Sequence, residues 1–121
     1  MFARPSKQIP GKWHLVEYYV ETSDELRNID EARLKAGKEF WDIQFTIEKN
    51  YTHHCNLPVS LVSVVENGTW SISKNYITFI HPMNFRNNVK FQFAIEKETL
   101  KMLKKDAFGR IEFFGFFRKM K

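Results

Sequence analysis

Two stretches of this chain alternate apolar and polar residues: WDIQFTIE at 41–48 strictly, and VKFQFAIE at 89–96 with only the small Ala94 on its polar side. Successive side chains on a strand point to opposite faces, so a period of two demands a strand with one dry and one wet side. Trp41, Ile43, Phe45 and Ile47 share the dry side of the first, with Asp42, Gln44, Thr46 and Glu48 opposite. Val89, Phe91, Phe93 and Ile95 form the dry side of the second. Such strands are stable only when another apolar surface covers them.

The rest of the chain supplies that surface as further strands. GKWHLVEYYV (11–20) is aromatic and β-branched throughout. Lys49-Asn50 marks a turn into YTHHCNL, which Pro58 interrupts. VVENGTWSIS (64–73), a turn at Lys74-Asn75, and YITFI (76–80) follow. HPMNFRNN (81–88) is a longer loop. TLKMLKK (99–105) and RIEFFGFFRKM (110–120) are joined by a turn at 106–109. Only TSDELRNIDEARLKAG (22–37) has helical character, with Thr22 and Glu25 as a capping box and Gly37 as a stop. Short connections favour sequential antiparallel neighbours. The expected fold is all-β: an eight-stranded antiparallel up-and-down barrel over 11–121, with one short helix inserted between strands 1 and 2, preceded by an extended arm over 1–10.

The 121 residues are the length of one domain. Twelve Phe, four Tyr and three Trp strengthen the β reading. The net charge of +5 is spread along the chain, which suits a solvated surface better than a nucleic-acid site. A single cysteine, Cys55, excludes an intrachain disulfide. No apolar run is long enough to span a membrane, and the first residues lack the apolar core of a signal peptide. Localisation is left open.

Gly-x-Trp occurs twice, at Gly11–Trp13 and Gly68–Trp70. A Trp opening the first strand can plug one end of a barrel, and a nearby Gly permits close approach of the chain. In a closed barrel the last strand returns beside the first, which would lay Arg118 across Trp13 as a cation–π contact. Gly11, Trp13 and Arg118 are therefore the expected closure. This arrangement resembles the lipocalins. GKWHLVEY, the turn before Tyr51, ENGTWSIS-KNYITF, FAIEKETLKML and the closing aromatic run with Arg118 are similar to the compact bacterial lipocalin-like domain family, over residues 9–119. The resemblance implies that Asn67-Gly68, otherwise a hairpin signal, lies within a mid-barrel strand. It also implies a small apolar or amphipathic ligand held in a barrel cavity, and a place in the cell envelope or outside the cell.

Trp41, Phe45, Trp70, Phe91, Phe93, Phe114 and Phe116 are the expected ligand-lining residues. The cavity should open at the end opposite Trp13, with 22–37 at its mouth. On the last strand Phe113 and Phe117 then face outward, as an apolar strip for a partner protein or a second copy. His53 and Cys55 share a strand face, but two ligands do not make a zinc site. Glu17 and Glu112 are expected to point inward, where such carboxylates are more often paired than catalytic. There is no nucleophile or phosphate-loop motif. No catalytic residue, metal or cofactor is expected, and the chain is not read as an enzyme. The alternative is a filled barrel serving as a protein-interaction module. A single-stranded nucleic-acid binder is less favoured; it would stack bases on Phe85 and Tyr76 beside a stripe of Lys101, Lys104, Lys105, Arg110, Lys119 and Lys121.

Overall fold

Gly11–Glu21 forms the longest strand, β1, and its two edges organise everything else. One edge pairs with the last strand along Lys12–Tyr19. The other edge is shared. Its first half, Gly11–His14, pairs with β3 (Trp41–Phe45), and its second half, Tyr18–Glu21, pairs with the four-residue β2 (Leu26–Ile29). From β3 the chain runs through β4 (Asn50–Cys55), β5 (Asn67–Ser73), β6 (Tyr76–Ile80), β7 (Val89–Glu96), β8 (Thr99–Lys105) and β9 (Ile111–Met120), each antiparallel to the one before. Pairing of β9 with β1 closes an eight-stranded barrel of β1 and β3–β9, with β2 as a flap on its rim. The structure, a computed structural model, describes residues 4–58, 61–62, 64–120.

The two barrel ends differ. The lower end, where β1 begins, carries residues 4–10 and the tight turns 46–49, 74–75 and 97–98, and the opposite end is the upper one. The opposite end carries the long connections: 22–40, 56–66, 81–88 and the turn 106–110. No helix among the described residues is long and apolar enough to cross a membrane.

Several elements differ from the sequence expectation. Residues 22–37 are not one helix. Thr22 caps a β-turn, its N–H and hydroxyl both donating to the Glu25 carbonyl, and the chain returns as β2. Only Glu31–Ala36 is helical, α2, started by the Asp30 carboxylate accepting from the Arg33 N–H at 2.9 Å. The Asp30 cap wins over the Thr22 capping box because β2 completes the open half of an edge of β1. The arm is not fully extended: Pro5–Gln8 makes one helical turn, α1, with proline at the start, while residues 1–3 lie outside the described ones. Strand β3 stops at Phe45, so Ile47 sits in the turn and is 80% exposed.

A bulge between Leu15 and Glu17 in β1 resets its alternation. Trp13 and Leu15 point inward before it and Tyr18 after it, all buried. Glu17 consequently faces outward, where its carboxylate accepts from Asn28 Nδ2 at 2.9 Å. A one-residue bulge is invisible to parity counted along the strand.

Candidate functional site

The barrel interior is an aromatic core. Trp41 lies fully buried against Phe113 and Phe117, with ring centroids at 5.3 and 5.2 Å, and against Phe91 at 6.1 Å. Phe45 stands edge-on to Trp70 at 5.6 Å, and Phe79 edge-on to Tyr51 at 4.9 Å. Rings at these separations lie within the range of favourable aromatic packing. The expected lining residues Trp41, Phe45, Trp70 and Phe91 are thus brought together as packed core. Phe93 is half-buried at the margin of that core.

Phe114 and Phe116 lie on the outer face, and Phe113 and Phe117 are fully buried inside, the reverse of the expected parity. The reason is the register: Phe117 faces Leu15 and Leu100, both interior positions, while Phe116 faces Glu17 and Lys101. The sequence did carry a signal. The face of β9 with Phe114 and Phe116 also holds the charged Glu112 and Arg118, whereas Lys119 is the one charged residue on the other face. Outside the barrel Phe114 and Phe116 pack at 4.8 Å, and Tyr19 completes the group at about 6 Å from both rings (6.1 and 6.0 Å).

Closure of the lower end follows the same register. Arg118 is opposite His14, its side chain exposed and its guanidinium 3.5 Å from the Glu31 carboxylate on α2. It does not cover Trp13. The residue opposite Trp13 is Lys119, whose ammonium sits 5.4 Å from the ring centroid. Gly11, at φ +136°, leaves room for this; a Cβ there would be 2.9 Å from the Lys119 Cε. Trp13 Nε1 donates to the Ile9 carbonyl at 2.8 Å, which brings fully buried Ile9 against the core.

The HHC stretch divides between the two faces of β4. His53 is 6% exposed and has both ring nitrogens engaged: Nδ1 accepts from Trp41 Nε1 at 2.9 Å, so Nε2 carries the hydrogen and donates to the Val64 carbonyl at 3.0 Å. Burial holds its pKa below the ordinary value. His54 points outward, beside Asp42 on the neighbouring strand. Burial pushes the Cys55 thiol up. No group of three metal-ligating side chains occurs among the described residues. Glu112 is bonded to Lys104 at the barrel rim.

The feature with the geometry of a site lies elsewhere, at the upper end. Strand β7 pairs with β6 along Val89–Gln92 but with β8 only along Gln92–Glu96. Above Gln92 the two strands part. A groove of about 740 Å³ opens there between the β6–β7 loop and the end of β8. Val65, Val89 and Leu103 give it apolar walls, and Arg86, Lys90, Lys104 and Lys105 give it cations; among the described residues none that lines it is acidic. Lys90 also covers the Tyr76 ring at 4.6 Å, and Tyr76 lines the groove too. Of the basic stripe expected from sequence, Lys104 and Lys105 line this groove and Arg110 lies in the adjoining turn, Lys119 is at the far end under Trp13, and Lys101 lies over Phe116 at 5.8 Å. Lys121 lies outside the described residues. No protein-family model matches the chain, and no curated protein does.

Proposed function

We propose that this chain binds, without catalysis, a small amphipathic anion, and that the ligand sits in the groove between β7 and β8 rather than in the barrel interior. The observation that carries this is the parting of β7 from β8 above Gln92, which sets apolar walls beside Arg86, Lys90 and Lys105 with no acidic side chain among them. Apolar walls with a few oriented polar groups are the general form of a small-molecule site. The cations would meet a carboxylate, sulfonate or phosphate head, and Val65, Val89 and Leu103 the adjoining apolar part. The same reading gives the resemblance to lipocalin-like domains a specific sense: a shared barrel whose ligand has moved from the interior to the rim. Packing of Trp41 against Phe91, Phe113 and Phe117 supports that displacement, since a guest inside would have to expel buried rings.

Titration with 1-anilinonaphthalene-8-sulfonate and with a dansylated fatty acid tests it, with near-ultraviolet circular dichroism confirming native packing. Binding at micromolar concentration is expected, about −8 kcal/mol. It should weaken at least tenfold in R86A/K90A, and an uncharged analogue of either probe should bind far less. Equal binding of charged and uncharged probes, or undiminished binding by the double variant, would defeat the proposal.

A further inference from the structure

Among the described residues, seven large apolar side chains are exposed: Leu26, Phe40, Ile47, Met83, Phe85, Phe108 and Met120. Three of them, Met83 at 89%, Phe85 at 76% and Phe108 at 90%, occupy the two loops that flank the groove at the upper end. None of the three lines the groove itself. Arg86, Lys90, Lys105 and Arg110 are exposed beside them, and none of these four takes part in an ion pair among the described residues.

Both loops are held in shape by their own polar groups. In the first, His81 Nδ1 accepts from the Met83 and Asn84 N–H groups at 3.0 and 2.8 Å, and Asn88 Oδ1 accepts from the His81 N–H at 2.7 Å. In the second, Asp106 Oδ1 accepts from the Phe108 and Arg110 N–H groups at 2.8 and 2.9 Å. The loops therefore present Met83, Phe85 and Phe108 to solvent in an ordered conformation. Asp106, the acidic group within the second loop, has its carboxylate committed to that turn.

We infer that these two loop tips dock the barrel, groove end first, onto an anionic lipid bilayer, with Met83, Phe85 and Phe108 entering the interface and Arg86, Lys90, Lys105 and Arg110 meeting the headgroups. Apolar tips with cations on the same loops and on the strand ends that carry them match that surface in both chemistry and charge. A second copy of the chain fits poorly, because a self-complementary contact would set the same cations against one another. A nucleic acid also fits poorly. Stacking needs ring faces aligned along a channel, whereas these tips belong to separate loops, Met83 has no ring, and the Tyr76 face is covered by Lys90. This inference does not require the groove to hold a ligand.

Co-sedimentation with vesicles tests it. The chain should sediment with phosphatidylcholine vesicles containing about 30 mol % phosphatidylglycerol, should not sediment with pure phosphatidylcholine, and should dissociate as salt is raised. R110A should bind the anionic vesicles about fivefold more weakly, and F85A/F108A at least about tenfold more weakly. Both variants should retain the sulfonate-dye binding of the wild type, because neither Phe nor Arg110 lines the groove. Sedimentation indifferent to phosphatidylglycerol, or unaffected in F85A/F108A, would overturn docking. So would tighter binding of a single-stranded oligonucleotide that displaces the vesicles and is lost in the same variants.

Discussion

Each Gly-x-Trp serves a cross-strand approach, and each Trp ends with a lysine over its ring. Trp13 has Lys119 at 5.4 Å, and Trp70 has Lys49 at 4.1 Å, within the range of cation–π attraction. The glycines do different jobs. Gly11 clears the path for the Lys119 stem, while Gly68 lets β5 lie close to β6: a Cβ on Gly68 would stand 2.3 Å from the Ile80 carbonyl oxygen and 3.2 Å from the Tyr51 ring. Backbone cannot yield as a flexible side chain can. Gly68→Ala should therefore destabilise the fold by about 3 kcal/mol, read as a lowered urea midpoint. An unchanged midpoint would show that β5 and β6 can separate there without loss.

At the level of elements, closure depends on which of two adjacent cations faces the core. Arg118 and Lys119 are neighbours on β9, so the register with β1 decides which meets Trp13. Arg118→Ala should change stability by less than about 0.5 kcal/mol, since it removes only an exposed ion pair with Glu31. Lys119→Ala should cost about 1 kcal/mol, because it strips a cation and its aliphatic stem from a buried indole. Chemical denaturation of the two variants compares them directly. A larger loss for Arg118→Ala would contradict the observed register.

The whole molecule joins strands about a hundred residues apart, and its interior is tied to its rim through one histidine. His53 links Trp41 on β3 to the Val64 carbonyl in the 56–66 connection. Desolvation by burial lowers its folded pKa below 6.5, with His54 acting in the same direction and backbone hydrogen bonds at Val64 and Val65 and the charge of Glu66 opposing. Because the folded pKa is the lower one, the unfolded chain takes up the proton first. Stability from His53 is fully present above pH 6.5 and is lost as pH falls through the folded value. At the alkaline side, burial pushes Tyr51 up to about 12 from 10.0, so its contribution is full below pH 10 and fades as pH approaches 12. Denaturation midpoints should fall between pH 7.5 and 5, and H53Q should flatten that fall, since glutamine can accept from Trp41 and donate to Val64 without titrating. An acid limb as steep in H53Q as in the wild type would remove His53 as its cause.

Much of this architecture was legible from residue order alone. Alternation over 41–45 and 89–95, turn residues at 49, 74 and 106–109, and a glycine-tryptophan opening determined an all-β chain of sequential antiparallel strands, because strand period and turn chemistry are local properties. The inward set Trp41, Phe45, Trp70 and Phe91 followed from the same alternation. What the sequence did not determine is the relation between strands. The bulge at residues 15–17 turned Glu17 outward, the β1–β9 register put Phe113 and Phe117 inside with Lys119 on Trp13, and the need of the β1 edge for a partner made a strand of Leu26–Ile29. The groove arises in the same way, from where β7 stops pairing with β8. Register and pairing length are set by contacts between residues far apart in the chain, and they emerge only when the barrel closes.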